Sequence, residues 1–216
     1  MSDDRALETI EKCGVVPVIA IDSIDAAIPL ADALLEGGLP LVEITFRTAA
    51  AAEVIETICW QRPSLLVGAG TVVTAESLQA AKASGAKFGV APGLNAHIVN
   101  GAKRAGLPFV PGVCTPSDIE RALALDCRLL KFFPAEASGG VEMLKALAAP
   151  YGHLGVRFVP TGGVNMNNLA AYLAIDCVAA VGGTWIAKKE DLAAGNWAEI
   201  RDRCKKAADI VAQVRG

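Results

Sequence analysis

The sequence predicts an α/β fold in which a single (β/α)8 TIM barrel, with an extra N-terminal helix, spans residues 1–216 as one domain. Short apolar runs rich in β-branched residues alternate eight times with Ala-rich amphipathic stretches. The runs start roughly 20–29 residues apart, which is the length of one βα unit with short loops. No low-complexity linker divides the chain, so one large core is expected.

The eight apolar runs are expected to form parallel strands, because strands covered by helices read as nearly continuous apolar segments. They occupy 15–21, 41–46, 65–67, 87–90, 108–110, 128–133, 157–160 and 178–181. The amphipathic stretches predict helices at 24–36, 49–61, 75–84, 96–105, 116–125, 141–149, 166–174 and 197–214. A further helix at 3–13 is expected to plug one end of the barrel. The alternative, a doubly wound open sheet, normally has a G-x-G-x-x-G turn after its first strand, which 21–23 does not supply.

Composition and charge argue against several classes of function. The 216 residues carry a net charge of −3 and a pI near 5.5, so a basic face for nucleic acid is not expected. No apolar run reaches the roughly 18 residues that span a bilayer, so no membrane association is expected. The acidic, polar start at 1–5 does not resemble a secretory signal, and a cytoplasmic location is expected.

The cysteines and histidines give no sign of a metal site. None of the six cysteines stands in a C-x-x-C pair and nearly all lie among apolar residues, which is typical of buried reduced thiols in a cytosolic protein. His97 and His153 are far apart in the sequence, and both are expected at the surface. We therefore expect neither a metal nor a cofactor.

One lysine, Lys131, stands inside the apolar run Leu-Leu-Lys-Phe-Phe-Pro at 129–134, which is otherwise expected to be buried. Removing an ammonium group from water is costly and favours the neutral amine. A neutral amine is the nucleophile that forms Schiff bases with carbonyl compounds. The alternative is that Lys131 lies at a strand end and extends its charged group into solvent.

The second predicted strand carries polar residues towards its carboxyl end, where the active site of a barrel lies. Alternation of side chains puts Glu43, Thr45 and Arg47 on one face of this strand. Helices must cover the apolar face, so the polar set is expected to point into the barrel mouth, towards Lys131. Charged groups are rarely buried without a partner or a task, which favours a functional cluster. The alternatives are structural ion pairs of Glu43 with Arg47 or with Lys131.

Glycine-rich turns follow the seventh and eighth predicted strands, at 161–164 and 182–184. This position is the usual phosphate site of the barrel fold. Glycines let backbone N–H groups converge on an anion, a following helix N-terminus adds a favourable dipole, and Thr184 offers a hydroxyl group. The alternative is a pair of tight turns without a ligand. Thr71 offers another hydroxyl group at the mouth, after the third strand.

Six motifs stand at the predicted strand ends. They are Val-Glu-Ile-Thr-Phe-Arg-Thr at 42–48, Gly-Ala-Gly-Thr-Val at 68–72, Ala-Pro-Gly at 91–93, Lys-Phe-Phe-Pro-Ala-Glu at 131–136, Pro-Thr-Gly-Gly-Val at 160–164 and Gly-Gly-Thr-Trp at 182–185. In order and spacing they resemble the 2-dehydro-3-deoxy-6-phosphogluconate (KDPG) aldolase / 4-hydroxy-2-oxoglutarate aldolase family over nearly the whole chain. The resemblance implies a homotrimeric, metal-free class I aldolase on a (β/α)8 barrel. Such enzymes cleave KDPG to pyruvate and glyceraldehyde 3-phosphate in the Entner–Doudoroff pathway, and some also cleave 4-hydroxy-2-oxoglutarate to pyruvate and glyoxylate.

The resemblance also implies a role for each matching residue. Lys131 would form the Schiff base and Glu43 would be the acid/base residue. The substrate, a phosphorylated 2-keto-3-deoxy sugar acid, would be held by Arg47 and Thr71 at its carboxylate, by Gly162, Gly163, Gly183 and Thr184 at its phosphate, and by Pro92 and Phe133 at the pocket rim. The departures from the family pattern at Phe46, Ala91 and Thr184 are mild.

Other functions stay open at this point. A metal-dependent aldolase or a phosphosugar epimerase on the same barrel would share the phosphate turns, but it would need metal ligands or a differently placed acid/base pair. A phosphate-binding barrel without catalytic activity would lack the reactive amine. The sequence does not distinguish the gluconate series of substrates from the galactonate series, since the two differ at one stereocentre.

Overall fold

The computed structural model describes residues 3–216, in which helices alternate with parallel strands. The nine strands of this part of the chain are β1 (Val15–Ile19), β2 (Leu41–Thr45), β3 (Leu66–Gly70), β4 (Phe88–Val90), β5 (Phe109–Val110), β6 (Gly112–Val113), β7 (Leu129–Phe132), β8 (Arg157–Pro160) and β9 (Val181–Gly183). Its α-helices are α1 (Asp3–Cys13), α2 (Ala27–Glu36), α3 (Ala51–Gln61), α4 (Ala75–Ala83), α5 (Ala96–Arg104), α6 (Pro116–Ala124), α7 (Gly140–Ala148), α8 (Leu169–Leu173), α9 (Lys189–Ala194) and α10 (Trp197–Arg215). Short 3-10 helices span Glu136–Ser138 and Ala149–Leu154.

The strands form two sheets, and every strand pair within them is parallel. One sheet has the order β5-β4-β3-β2-β1-β9 and the other the order β6-β7-β8. The predicted α/β fold with parallel strands is therefore confirmed, although the ladder is not one continuous eight-stranded sheet. The predicted fifth strand is followed by Pro111, which has no N–H group for a ladder and stands between β5 and β6.

The strands are buried because apolar side chains cover both of their faces. Val42 and Ile44 of β2 belong to the large cluster between the sheets and the helices, whereas Leu41 belongs to a smaller inner cluster. The inner cluster includes Ile10 of α1, which confirms that the first helix closes one end of the sheet interior. Glu43 lies on the same side of β2 as Leu41, as alternation predicts.

Several predicted boundaries are wrong by a few residues. The predicted strand at 178–181 is instead Val181–Gly183, and the helix predicted at 166–174 begins only at Leu169. The short helix α9 was not predicted. Across residues 3–216, every helix is too short or too polar to span a bilayer.

All six cysteines are free thiols. Cys127 and Cys204 are buried and the other four are half-buried, so the prediction of buried thiols is confirmed only in part. Burial raises the pKa of the Cys13 thiol to about 11 and that of Cys204 to about 12. Both thiols are therefore protonated at neutral pH and unreactive as nucleophiles.

Candidate active site

Lys131 of β7 and Glu43 of β2 meet in the interior between the two sheets. The Lys131 Nζ donates a hydrogen bond to the Glu43 Oε1 at 3.2 Å, and the two residues are only 6% and 3% exposed. The alternative in which Lys131 extends into solvent is therefore wrong. Of the two ion pairs considered for Glu43, the one with Lys131 forms.

On the side that faces α1, a narrow and apolar cavity adjoins this ion pair. The cavity beside Glu43 and Lys131 has a volume of about 10 Å³, which is at most the room for one water molecule. Its other walls are apolar side chains, namely Ile10, Val16, Phe88, Val90, Val110 and Val159. In such surroundings electrostatic interactions are stronger than in water, and each charge depends on its partner.

A glycine beside the carboxylate allows this packing. A Cβ atom at Gly70, the last residue of β3, would collide with the carboxylate of Glu43. The next residue, Thr71, is half-buried and has a left-handed backbone with φ of 58°. A β-branched residue rarely adopts this conformation, which costs of order 1–3 kcal/mol and is typical of functional sites.

Arg47 lies just beyond the carboxyl end of β2. Its Nε donates a hydrogen bond to the Thr45 Oγ1 at 3.1 Å, and the Thr45 hydroxyl donates to the Ile19 carbonyl at 3.2 Å. Thr45 is buried and Arg47 is exposed, so the guanidinium group is held at the rim with donors left for a ligand. A pocket of about 380 Å³ connects Arg47 with Thr184.

Lys188 and Lys189 line the same pocket, and the sequence analysis missed both. Lys189 pairs with Asp22 at 3.4 Å, and Lys188 is exposed beside it. Their position in the sequence, shortly after the Gly-Gly-Thr turn at 182–184, could have indicated that they contribute to the same site. Arg47, Lys188 and Lys189 outnumber Asp22 in the lining of this pocket, so its net positive charge favours an anionic ligand.

The turn at Gly162 and Gly163 has the conformation that only glycine adopts readily, with φ of 98° and 84°. The Gly163 carbonyl accepts hydrogen bonds from the side-chain amides of Asn165 at 3.1 Å and Asn168 at 3.5 Å. Within residues 3–216, the N–H groups of Gly162 and Gly163 have no protein acceptor. The turn therefore presents two free backbone donors.

The second predicted phosphate turn lies beside the first. A parallel bridge pairs Thr161 with Gly182, and Gly183 is buried against the ring of Trp185. Thr184 follows at the surface. The expected dipole from a following helix is wrong for both turns, because α8 begins only at Leu169 and α9 only at Lys189.

Phe133 and Pro92 complete the surroundings of the lysine. The ring centre of Phe133 lies 5.7 Å from the Lys131 Nζ, and the same ring lies beside Gly162. Phe133 thus lies between the amine and the first predicted phosphate turn. The backbone of Pro92 packs against Gly112, which is the strand partner of Lys131.

The structure therefore brings together Lys131, Glu43 and Phe133 at one place, and Arg47 and Thr184 around a second pocket. The linings of the two cavities share no residue, and Thr71 and the Gly162–Gly163 turn line neither of them. His97 and His153 are exposed, as predicted. Within residues 3–216, no three side chains of His, Cys, Asp or Glu are grouped as a metal site would require.

Comparison with known proteins identifies relatives over almost the whole chain. The family model for KDPG and KHG aldolases matches residues 7–203. The 2-dehydro-3-deoxy-phosphogluconate aldolase of Haemophilus influenzae is 46% identical over 207 residues, which cover 96% of this chain and 97% of the relative. The corresponding aldolase of Treponema pallidum is 44% identical and covers 94% and 96% of the two chains.

A solved structure has the same fold. The KDPG aldolase of Legionella pneumophila, crystallised with pyruvate captured as a covalent carbinolamine intermediate, superposes with a TM-score of 0.89. It is 36% identical in sequence, and the match covers 94% of this chain and 97% of that one. The chain therefore belongs to the KDPG and KHG aldolase family.

Proposed function

We propose that this protein is a class I aldolase that cleaves KDPG to pyruvate and glyceraldehyde 3-phosphate without a metal. The single observation that carries this function is the buried Lys131 amine, held 3.2 Å from the carboxylate of Glu43. An amine and a general base in contact are the two groups that Schiff-base chemistry requires. 4-Hydroxy-2-oxoglutarate, which shares the reacting 2-keto-4-hydroxy acid unit, is a second substrate.

The reaction begins with proton transfer from the Lys131 ammonium group to Glu43. The neutral amine attacks the C2 ketone of the substrate and forms a carbinolamine. Glu43 returns the proton as the carbinolamine loses water, which leaves an iminium ion at C2 and an ionised Glu43. The positively charged iminium then serves as the electron sink for bond cleavage.

Cleavage uses the same carboxylate a second time. Glu43 removes the proton of the C4 hydroxyl group, and the electron pair of the C3–C4 bond moves into an enamine. Glyceraldehyde 3-phosphate leaves, and the protonated Glu43 gives its proton to C3 of the enamine. Water hydrolyses the resulting iminium ion, which releases pyruvate and regenerates the Lys131 ammonium group beside the ionised Glu43.

The two ends of the substrate carry the charges that fix its position. We assign the pyruvyl carboxylate to Arg47 and Thr71, because the fork of a guanidinium group binds both oxygens of a carboxylate. We assign the phosphate to the free N–H groups of the glycine turns and to the Thr184 hydroxyl. The shared pocket of Arg47 and Thr184 supports a substrate with an anion at each end. Pro92 and Phe133 form the rim.

We further propose that the two sheets close into one (β/α)8 barrel and that residues 1–216 form one domain. The ion pair between β2 and β7 joins the two sheets across their interior. Parallel bridges from Phe158 to Val178 and from Thr161 to Gly182 connect the chain of β8 with that of β9. The Lys131 N–H donates to the Pro111 carbonyl at 2.9 Å, which supports continuity at the break between β5 and β6.

The family resemblance leads us to propose a homotrimer, and mass photometry of the purified protein tests this assembly. The six free thiols support a reducing compartment, so we also propose a cytoplasmic location. Localisation of a tagged full-length chain by cell fractionation tests that proposal.

Borohydride reduction in the presence of pyruvate, followed by peptide mapping, tests the reaction. We expect a stable pyruvate adduct on Lys131 in the native protein and none in Lys131→Met. Labelling of another lysine, or undiminished labelling of the variant, would show that Lys131 does not form the Schiff base. Full activity in excess EDTA is expected, and loss of activity on chelation would favour a metal-dependent aldolase.

The Glu43→Gln variant tests the proposed role of Glu43 as the acid/base residue. The variant keeps the shape of the side chain, but its neutral amide cannot act as a general base. We therefore expect kcat for KDPG to fall by about 10²–10⁴-fold. Pyruvate labelling at Lys131 should persist in this variant, although it should be slower.

Steady-state kinetics of the native protein with KDPG and with its C4 epimer identify whether the gluconate or the galactonate series of substrates is preferred.

A further inference from the structure

The segment after β7 is bound to the first phosphate turn by backbone hydrogen bonds. The Ala135 N–H donates to the Thr161 carbonyl at 2.8 Å, and the Glu136 N–H donates to the Gly162 carbonyl at 3.0 Å. These bonds use the carbonyl groups of the turn and leave the N–H groups of Gly162 and Gly163 free. The strand that carries Lys131 and the turn thus form one connected unit.

The side chain of Glu136 packs directly on the turn. A Cβ atom at Gly163 would lie 2.5 Å from the Glu136 Cβ and 2.6 Å from its Cγ, so the stem of Glu136 occupies the space beside this glycine. Any shift of Glu136 away from this position would leave the turn without support on that side. Glycine has more accessible backbone conformations than any other residue, so the packing of Glu136 helps to keep Gly163 in the one seen here.

Tyr172 of α8 holds Glu136 in place. Its hydroxyl group donates a hydrogen bond to the Glu136 Oε1, while its ring is fully buried in the core. Burial and the Glu136 carboxylate together raise the pKa of Tyr172, so the hydroxyl group stays a donor at neutral pH. A rigid core residue thereby fixes an exposed carboxylate next to the phosphate turn.

A binding role for this carboxylate is unfavourable, because its negative charge would repel a phosphate. The hydrogen bond from Tyr172 occupies the Oε1 atom of this carboxylate. The same oxygen lies near Gly140, the first residue of α7, where the helix dipole favours a negative charge. Glu136 therefore packs against the Gly162–Gly163 turn without being suited to bind the phosphate itself.

We propose that Glu136 and Tyr172 are positioning residues for substrate phosphate: they hold the Gly162–Gly163 turn so that its free N–H groups point at the anion. The proposal rests on the proposed function, since it concerns the phosphate end of the same substrate. Neither residue touches the reacting atoms. Their loss should therefore weaken phosphate binding and leave the chemistry of the Lys131 amine with pyruvate intact.

The test uses Tyr172→Phe, which removes only the hydroxyl group, and Glu136→Ala, which removes the carboxylate and the Cγ atom. For both variants we expect KM for KDPG and the Kd for glycerol 3-phosphate, measured by calorimetry, to rise about 5- to 20-fold. This is less than the roughly 10- to 100-fold effect of losing a direct hydrogen bond to a charged group, because the turn loses its support while the ligand keeps its own contacts. The exchange of pyruvate methyl protons with solvent, followed by NMR, should stay within about twofold, because pyruvate has no phosphate.

Two further variants serve as controls. Tyr151 also donates a hydrogen bond to a glutamate, Glu120 at 3.2 Å, but away from the phosphate turn, so Tyr151→Phe should leave both constants unchanged. Glu136→Gln keeps the acceptor and the stem, and it should bind glycerol 3-phosphate at least as tightly as the native chain.

The outcomes separate the two proposals. Equal losses in glycerol 3-phosphate binding and pyruvate exchange, or no loss in either, would overturn the positioning role of Glu136 and Tyr172. A native protein that binds glycerol 3-phosphate but neither cleaves KDPG nor exchanges pyruvate would overturn the proposed function alone. The calorimetric comparison of the variants would still decide the positioning role.

Discussion

The buried ion pair of Lys131 with Glu43 is better explained by a role in the reaction than by a contribution to stability. Moving two charges out of water costs several kcal/mol for each ion, and their attraction only roughly offsets this cost. An apolar pair of similar volume would hold β2 and β7 together equally well. The chain instead keeps an amine and a carboxylate 3.2 Å apart, which makes proton transfer between them direct.

Gly70 sets the position of the carboxylate in this pair. Gly70→Ala would place a methyl group where the carboxylate of Glu43 now lies, and the flexible end of Glu43 would move. Stability should fall by only about 1–3 kcal/mol, the usual cost of an added methyl group in a packed interior. Misplacing a catalytic group by about 1 Å lowers kcat by about 10²-fold, so we expect a folded but nearly inactive enzyme.

Urea unfolding and steady-state kinetics on KDPG check this expectation. Gly152→Ala is the matched control, because a Cβ atom there has no neighbour within 4 Å. A Gly70→Ala enzyme with native kcat would show that the Glu43 carboxylate has no fixed place in the reaction.

The sequence predicted single residues well where alternation along one strand decides the outcome. Glu43 and Lys131 are buried together because each lies on the inner face of its own strand. The sequence left the partner of Glu43 open between Arg47 and Lys131, since the choice depends on which strands face each other across the interior. Glu136 and Tyr172 were missed for the same reason, because their contact joins two elements 36 residues apart.

Among the secondary-structure elements, α10 stabilises the segment that follows β9. Arg203 of α10 donates hydrogen bonds to the carbonyl groups of Trp185 at 3.2 Å and Ile186 at 2.9 Å. Its other terminal nitrogen lies 2.6 Å from the Asp191 carboxylate of α9. One guanidinium group thus connects two helices and the chain directly after Thr184.

This connection predicts a pH-dependent contribution of Asp191 to stability. Burial alone would raise the pKa of the Asp191 carboxyl, but the hydrogen bonds and charge of Arg203 lower it below its usual range. A lowered pKa in the folded state means that the contribution is complete above the unfolded pKa of about 3.9 and is lost as the pH falls through the folded value. Asp191→Asn should therefore reduce the free energy of unfolding at pH 7 by about 2–4 kcal/mol.

Urea unfolding at pH 7 and at successively lower pH measures this difference. The difference between the native chain and Asp191→Asn should shrink below about pH 4. Asp126→Asn is the control, because its ion pair with Lys103 is exposed and should contribute less than about 1 kcal/mol. A difference that is independent of pH would show that the charge of Asp191 does not contribute.

Strands with a continuous apolar run and helices with several amphipathic turns were predicted to within a few residues. The strand Arg157–Pro160 and the helix Asp3–Cys13 have the predicted bounds. The strand Val181–Gly183 was misplaced because two of its three residues are glycines, which carry no strand pattern. The helix Lys189–Ala194 has six residues, too few for its periodicity to stand out.

For the molecule as a whole, the regular alternation of strands and helices was enough to predict parallel strands with helices around them. The split of the strands into sheets of six and three could not be predicted, because it depends on hydrogen-bond geometry around Pro111 and around the bridge of Thr161 with Gly182. The role of the first helix was predictable, since an amphipathic helix before the first strand must cover an apolar surface.

That helix contributes to the stability of the whole interior through Ile10. Its side chain is 2% exposed and lines the same small cavity as Glu43 and Lys131. Ile10→Ala would enlarge this cavity on the side that α1 covers, and it would remove contacts with the inner cluster. We expect the free energy of unfolding to fall by about 2–5 kcal/mol, the usual effect of such a truncation in a core.

The enlarged cavity would also have room for water beneath the ion pair. Water there would weaken the electrostatic interaction of Lys131 with Glu43, so we expect kcat for KDPG to fall while KM changes little. Urea unfolding and steady-state kinetics of Ile10→Ala, with Ile10→Val as the smaller truncation, measure both effects. A stability loss below about 0.5 kcal/mol would contradict the inner position of Ile10, and an unchanged kcat would show that the reaction tolerates water beneath the amine.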